Sequence, residues 1–413
     1  MKKNAMLIFQ ASRLGNNIHP FVYSEVEAFC SRYDHVHLVC FKYTPSIKDL
    51  DKFENLTVHG VDKFTLRNII GAAWRFLTCY GFSDMWVAIK QKRFSIGYLK
   101  SCALMTIFGN SLIRASDKIL SKASKDDLWT VEGYWLSGPA LAAAWLKRKY
   151  PHIFAFSRAH SSEIDSVRNP YCICQFKKYI NKYLDARYFI SEWAKNNYEA
   201  IMPLHGVKIC KNNYVMRLGI RKNEDKINPS SQDGVFRIVS CSRAVPLKRL
   251  DILAKAFMNY SYSKPIEWIH LGDGIEMEKV KDICKEGKVG VKFTFPGGMA
   301  NEAVQHYLAT EPIDLFVNVS RYEGLPVSIM EAMAYGLPVV ATDAGATREI
   351  VDETNGILLP VEVTEEMIAE AIEKIVSSSD DELANYRKAA FNTWSSKYNK
   401  DTNYQELFTT LGV

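Results

Sequence analysis

Arg321-Tyr-Glu-Gly-Leu-Pro-Val-Ser-Ile-Met-Glu-Ala-Met-Ala-Tyr-Gly-Leu-Pro-Val-Val-Ala-Thr342 is the stretch on which the fold turns. An apolar strand, Asp314 to Asn318, runs into its Gly-Leu-Pro turn. A helix is predicted from near Val327 to Gly336, and Pro338 opens the next strand. A helix N-terminus presents unpaired N–H groups and a partial positive charge, which suits a diphosphate. Glu323 lies just before that terminus and Glu331 about one turn inside it. Two carboxylates so placed accept hydrogen bonds from hydroxyl-rich groups on either side of a phosphate, such as a sugar and a ribose. A lone pair of glutamates is more often merely solvated; the glycine turn and the flanking strands argue against that here.

Working outward, strands are predicted at Phe236 to Cys241, Glu267 to Leu271, Val291 to Phe295 and Pro338 to Ala341, with helical stretches between them. The polar, turn-rich residues 221–234 read as a linker. Before them lie strands at Asn4 to Phe9, His35 to Phe41, Leu128 to Glu132, Ile153 to Arg158 and Tyr188 to Ser191. Helices are predicted from about Pro20 to Ser31 and from Gly138 to Lys149, with two or three more over 64–122. Alternating β and α units imply parallel sheets with helices on both faces, and ligands at the carboxyl ends of the strands. The expected class is α/β, with two doubly wound parallel-sheet domains and a cleft between them.

With 413 residues the chain exceeds what one hydrophobic core normally serves. Its composition, 47% hydrophobic and 24% charged, excludes disordered and fibrous classes. No apolar run approaches the roughly 20 residues of a membrane span, and the N-terminus is too brief for a signal-peptide core, so a cytoplasmic location is expected. The nine cysteines are odd in number, and their spacing fits no zinc or redox pattern. Cys172 and Cys174 are weak metal ligands, and free thiols in a reducing compartment are preferred. The only Asp-x-Asp pair, Asp49-Leu-Asp51, lies in a polar stretch that reads as solvated loop, so no metal is expected. Residues 1–220 hold 31 Lys and Arg against 17 Asp and Glu, whereas the rest hold 21 against 29. Such asymmetry suggests that the first half faces something anionic.

Residues 323–331 resemble the Glu-x7-Glu motif of the retaining family 4 glycosyltransferases, also called glycosyl transferases group 1, of the bacterial surface-polysaccharide type. The resemblance extends to Val239–Phe257, Ile269–Gly274, Val291–Gly298 and Ala344–Ile350, and is thinner over 1–220. It implies the GT-B fold of two Rossmann-like domains: an acceptor domain over 1–221, a nucleotide-sugar domain over 222–394, and a C-terminal helix over 395–413 crossing back. It implies that Arg243 and Lys248 neutralise the donor diphosphate. By the same resemblance, Glu323 holds the transferred sugar, Gly324 and Leu325 offer N–H groups, and Glu331 holds the ribose. The backbone near Gly298 and Met299 would contact the base, His160 would face the sugar, and Gly15 would let the first loop approach the diphosphate. Glu323, His160, Arg243 and Lys248 are thus the candidate catalytic residues, with retention at the anomeric carbon and no cofactor beyond the donor. Where the family has Gly and Asp after the histidine, this chain has Ser161 and Glu163, which leaves sugar recognition open.

Residues 60–125 carry 11 basic against 3 acidic side chains, interleaved with aromatics such as Trp74, Tyr80, Phe82 and Trp86. Basic, aromatic helices suit an anionic membrane surface, and solvated helix faces are the plain alternative. Nucleic acid would suit the mixture too, but a sugar-donor site favours lipid. The expected function is therefore hexosyl transfer from a nucleotide diphosphate-sugar to a saccharide acceptor, lipid-linked, at the inner face of the cell membrane. The alternatives are a non-catalytic nucleotide-sugar-binding subunit of a membrane complex and a nucleotide-sugar epimerase.

Overall fold

The computed structural model describes residues 2–9, 20–41, 50–79, 81–160, 163–164, 176–209 and 211–413. Gly15, Tyr80, Ser161, Asp49, Cys172 and Cys174 lie outside them. The chain divides into two compact units, Met1–Met216 with Phe408–Val413, and Arg217–Leu407.

The first unit contains β1 (Lys3–Ile8), α1 (Pro20–Cys30), β2 (His35–Phe41), β3 (Leu56–Val61), α2 (Leu66–Thr78), α3 (Gly81–Lys90) and α4 (Ile96–Leu120). It continues with β4 (Leu128–Tyr134), α5 (Gly138–Lys149), β5 (Phe154–Ala159), α6 (Lys177–Tyr183), β6 (Ala186–Phe189), α7 (Glu192–Ile201) and β7 (Asn213–Val215). The sheet runs β3-β2-β1-β4-β5-β6-β7, parallel throughout. Its strands are buried apolar runs such as Ala5–Ile8, as expected of a sheet covered on both faces. Alanines 140, 142, 143 and 144 let α5 lie close against it.

The second unit contains β8 (Phe236–Cys241), α8 (Leu250–Asn259), β9 (Ile266–Leu271), α9 (Met277–Cys284), β10 (Val291–Gly297), α10 (Asn301–Thr310) and β11 (Leu315–Asn318). After them come α11 (Val327–Ala334), β12 (Val339–Thr342), β13 (Gly356–Leu359), α12 (Glu365–Val376) and α13 (Asp380–Thr393); α14 (Lys400–Leu411) begins in this unit, and its last residues from Phe408 belong to the first. The strand order is β10-β9-β8-β11-β12-β13, again parallel. In both sheets the order reverses beside the first strand, which is the doubly wound Rossmann pattern.

Two sequence readings gain detail. Residues 221–234, read as a linker, fall inside the second unit and are mostly exposed, but Asn228 is buried, donates to the carbonyls of Leu308 and Glu311, and accepts from Arg387. A polar side chain that satisfies buried carbonyls is structural, whatever its neighbours' composition. Second, α4 is long and apolar enough by length and composition to cross a membrane, though half of its most apolar window is buried in the unit. Its helical continuity was hidden by Lys100 and Arg114 at either end of the apolar stretch.

Candidate functional site

In the second unit the strand order reverses between β8 and β11, and the loops after these two parallel strands stand side by side. Loop 242–249 supplies Lys248 and loop 319–326 supplies Glu323. The Lys248 ammonium donates to Glu323 Oε1 at 2.5 Å, and Asn318 Nδ2 donates to the same oxygen at 3.3 Å. Oε2 of Glu323 has no protein donor among the described residues. An ammonium has three N–H groups, so Lys248 keeps donors to spare. Arg243 is exposed on the same loop as Lys248. Among the described residues, nothing in the protein accepts from the N–H groups of Gly324 and Leu325.

The two loops are locked together by a residue that the sequence reading passed over. Arg249 is buried, sits at φ 51°, and donates to the carbonyls of Val319 (2.7 Å), Val361 (2.6 Å) and Ser320 (3.2 Å). Arg321 N–H closes the arrangement on the carbonyl of Leu247 at 2.8 Å. From the far side, Gly345 presses on the backbone of Glu323: a Cβ there would lie 1.9 Å from the Glu323 carbonyl oxygen, at φ +61°. Gly272 packs likewise on Ser242, whose carbonyl would meet a Cβ at 1.9 Å.

Glu331 is buried in α11 and accepts from Asn301 Nδ2 at 2.7 Å. Burial raises its pKa, while hydrogen bonds from Asn301 and Gln305 act the other way. Asn301 opens α10, two residues after Met299, so the loop expected to meet a base lies beside the glutamate expected to meet a ribose. Cys241 ends β8, and burial, then the field of Glu331, pushes its thiol up to about 12 against the pull of Lys248. A thiol held neutral is no nucleophile. The structure therefore gathers Lys248, Glu323, Gly324, Leu325, Glu331 and Met299 around neighbouring strand ends. Asn301, Asn318, Arg249 and Gly345 join them; only the adjacency of Arg249 to Lys248 could have signalled any of these four.

In the first unit His160 follows β5. Its ring lies 5.1 Å from that of Tyr134 and 6.2 Å from that of Trp135, and its N–H donates to Glu163 at 2.7 Å. Glu163 thus holds the histidine's backbone. Behind it, Arg158 NH1 donates to Glu25 Oε2 at 3.0 Å, both buried. Glu132 lies beside them, and its burial, with the charge of Glu25, raises its pKa well above the usual carboxylate range. No group of three or more potential metal ligands occurs among the described residues.

Residues 221–393 match the model of the family described as glycosyl transferases group 1. Over these residues the chain resembles the group 1 glycosyltransferases. Over 156 residues the chain is 31% identical to the O-antigen biosynthesis glycosyltransferase WbnH of Escherichia coli, covering 38% of this chain and 40% of that protein. It is 27% identical over 147 residues to a GDP-mannose-dependent alpha-mannosyltransferase of Mycobacterium tuberculosis, covering 35% of this chain and 36% of that one. The alignments thus span well under half the length of these relatives. Over 100% of both chains the fold is similar to that of HepE from Anabaena, solved with UDP and glucose, at a TM-score of 0.65 and 16% identity. A sucrose-phosphate synthase from Thermosynechococcus elongatus gives 0.68 over 99% of this chain and 98% of that one, at 16% identity. The fold is GT-B.

Proposed function

We propose that the chain is a retaining glycosyltransferase that moves a sugar from a nucleoside diphosphate sugar to a lipid-linked saccharide during surface-polysaccharide assembly. The observation that carries the proposal is the Lys248–Glu323 pair set beside the open N–H groups of Gly324 and Leu325. A leaving diphosphate gains charge as the glycosidic bond breaks. Fixed cations and N–H groups aimed at it lower that barrier. Lys248, with Arg243 on the same loop, would supply the cations, so no metal is needed. Oε2 of Glu323 would accept hydroxyls of the sugar, and Glu331 those of the ribose. The donor phosphate would take the acceptor's proton on the same face, giving retention, and His160 would contact the sugar. The relatives named for O-antigen and mannose transfer support this class.

On this reading the chain would work in the cytoplasm, at the membrane face where such acceptors are extended. The test is transfer of labelled sugar from UDP-, GDP- and ADP-sugars to lipid-extracted acceptors, in EDTA. Glu323→Ala should abolish transfer while nucleotide binding persists. Nucleotide binding by the unaltered protein with no transfer to any acceptor would leave a binding subunit. Donor turnover without acceptor would leave an epimerase or hydrolase.

A further inference from the structure

In the first unit the apolar face of α2 is turned outward. Leu66, Ile70 and Trp74 are 73%, 65% and 63% exposed. With Ile69, Ala73 and Leu77 they form one stripe at helical spacing, facing solvent where a core helix would face inward. Exposed aromatic and aliphatic side chains continue on α3 at Phe82, Trp86 and Ile89. A contiguous apolar surface of this kind marks an interaction site.

Beside the stripe, α2 and α4 enclose a groove of about 420 Å³ lined by Arg67, Arg75 and Arg114 together with Ile70, Trp74 and Asn110. Gly71 lets the helices meet there, since a Cβ would lie 2.5 Å from Asn110 Nδ2. The guanidinium groups are oriented by neutral amides: Arg75 Nε donates to Asn110 Oδ1 at 3.2 Å and Arg114 NH1 to Asn68 Oδ1 at 3.1 Å. Arg75 also lies 4.1 Å over the Trp145 ring. No acidic residue occurs in α2, and Asp117 of α4 is taken by Lys149 and Tyr150. Among the described residues no carboxylate pairs with Arg67, Arg75 or Arg114, although the charge of Asp117 acts on Arg75; clustered guanidinium groups with donors to spare suit a phosphate.

We infer that this groove seats the phosphate of an anionic bilayer lipid while the outward stripe of α2 enters the acyl boundary. Apolar and cationic groups side by side match the two layers of a membrane interface. A soluble phosphate would have no use for Leu66, Ile70 and Trp74. The inference rests on the proposed work at a membrane and gives that work a point of attachment.

Flotation with vesicles of phosphatidylcholine, with and without phosphatidylglycerol, tests it. The protein should float with the anionic vesicles. A basic side chain at such a surface is worth roughly fivefold in partition, so Arg67→Gln with Arg114→Gln should weaken binding roughly thirtyfold. Ile70→Ser with Trp74→Ser should weaken it independently of lipid charge. Both pairs are exposed, and an unchanged melting temperature certifies their folding. Indifference to phosphatidylglycerol, or unaltered flotation of the arginine variant, would overturn the inference. So would stabilisation by inorganic phosphate without flotation, or a stable dimer dispersed by Trp74→Ser. Nucleotide binding on the same samples separates the two claims. Nucleotide binding without flotation sinks the lipid site alone, and flotation without nucleotide binding sinks the transferase alone.

Discussion

At the scale of single residues, Lys248 and Arg249 are neighbours with opposite duties. Lys248 is partly exposed and paired with one carboxylate, so its pairing adds only about 0–1 kcal/mol to stability. Arg249 is buried and satisfies three carbonyls. Arg249→Met should therefore cost about 3 kcal/mol or more, since buried acceptors left without donors are expensive, and urea unfolding will read it. Lys248→Met should leave the unfolding midpoint nearly unchanged and weaken nucleotide binding at least tenfold. Glu132 gives a pH prediction. Its folded pKa is raised above the unfolded one by burial and by Glu25, so the stabilisation from its bound proton is complete below the unfolded pKa. That stabilisation is lost as pH rises through the folded pKa. Glu132→Gln should remove this alkaline loss: the gap in urea midpoint between variant and parent should widen in the variant's favour from pH 6 to pH 9. A constant gap would mean that Glu132 is already ionised in the fold.

At the scale of elements, the parallel strands were legible because buried strands read as continuous Val, Ile and Leu runs. Three of the four edge strands were not, β10 being the exception. β3 (Leu-Thr-Val-His-Gly-Val) is half-exposed along most of its length, β7 has three residues and β13 four, and such segments carry little periodic signal. Of the candidate side chains, the structure pairs Lys248 with Glu323 and sets Glu331 against Asn301. The site was not legible where the backbone carries the chemistry, as at Gly345, whose role depends on Glu323 lying against it in space. Gly345 and Gly287 have nearly equal positive φ, +61° and +64°, but nothing lies within 4 Å of a Cβ at Gly287. Gly287→Ala should cost only the conformational penalty of about 1–2 kcal/mol. Gly345→Ala should cost more and should also lower transfer, because the Glu323 backbone must move. Equal effects on stability and activity would show that the contact is unimportant. The sequence showed only a basic and aromatic mixture over residues 60–125, and burial alone picks out the apolar face of α2 as turned to solvent.

At the scale of the whole molecule, two units repeat one winding pattern and differ in charge. The basic excess lies in the first 220 residues and the acidic excess in the remainder. Each unit has its own buried core, one around β1, β4 and α5 and the other around β8, β11 and α12. Thermal unfolding need not be a single transition in such a chain, and a ligand should raise the transition of the unit that holds it. The most direct test of the donor site is differential scanning calorimetry with UDP, GDP, ADP and their common sugars, with and without EDTA. One nucleotide at about one hundred times its dissociation constant should add roughly 2.7 kcal/mol to its unit. The gain should survive EDTA and should vanish in Lys248→Met. No response to any nucleotide, or a response that EDTA abolishes, would contradict a metal-free donor site built on Lys248 and Glu323.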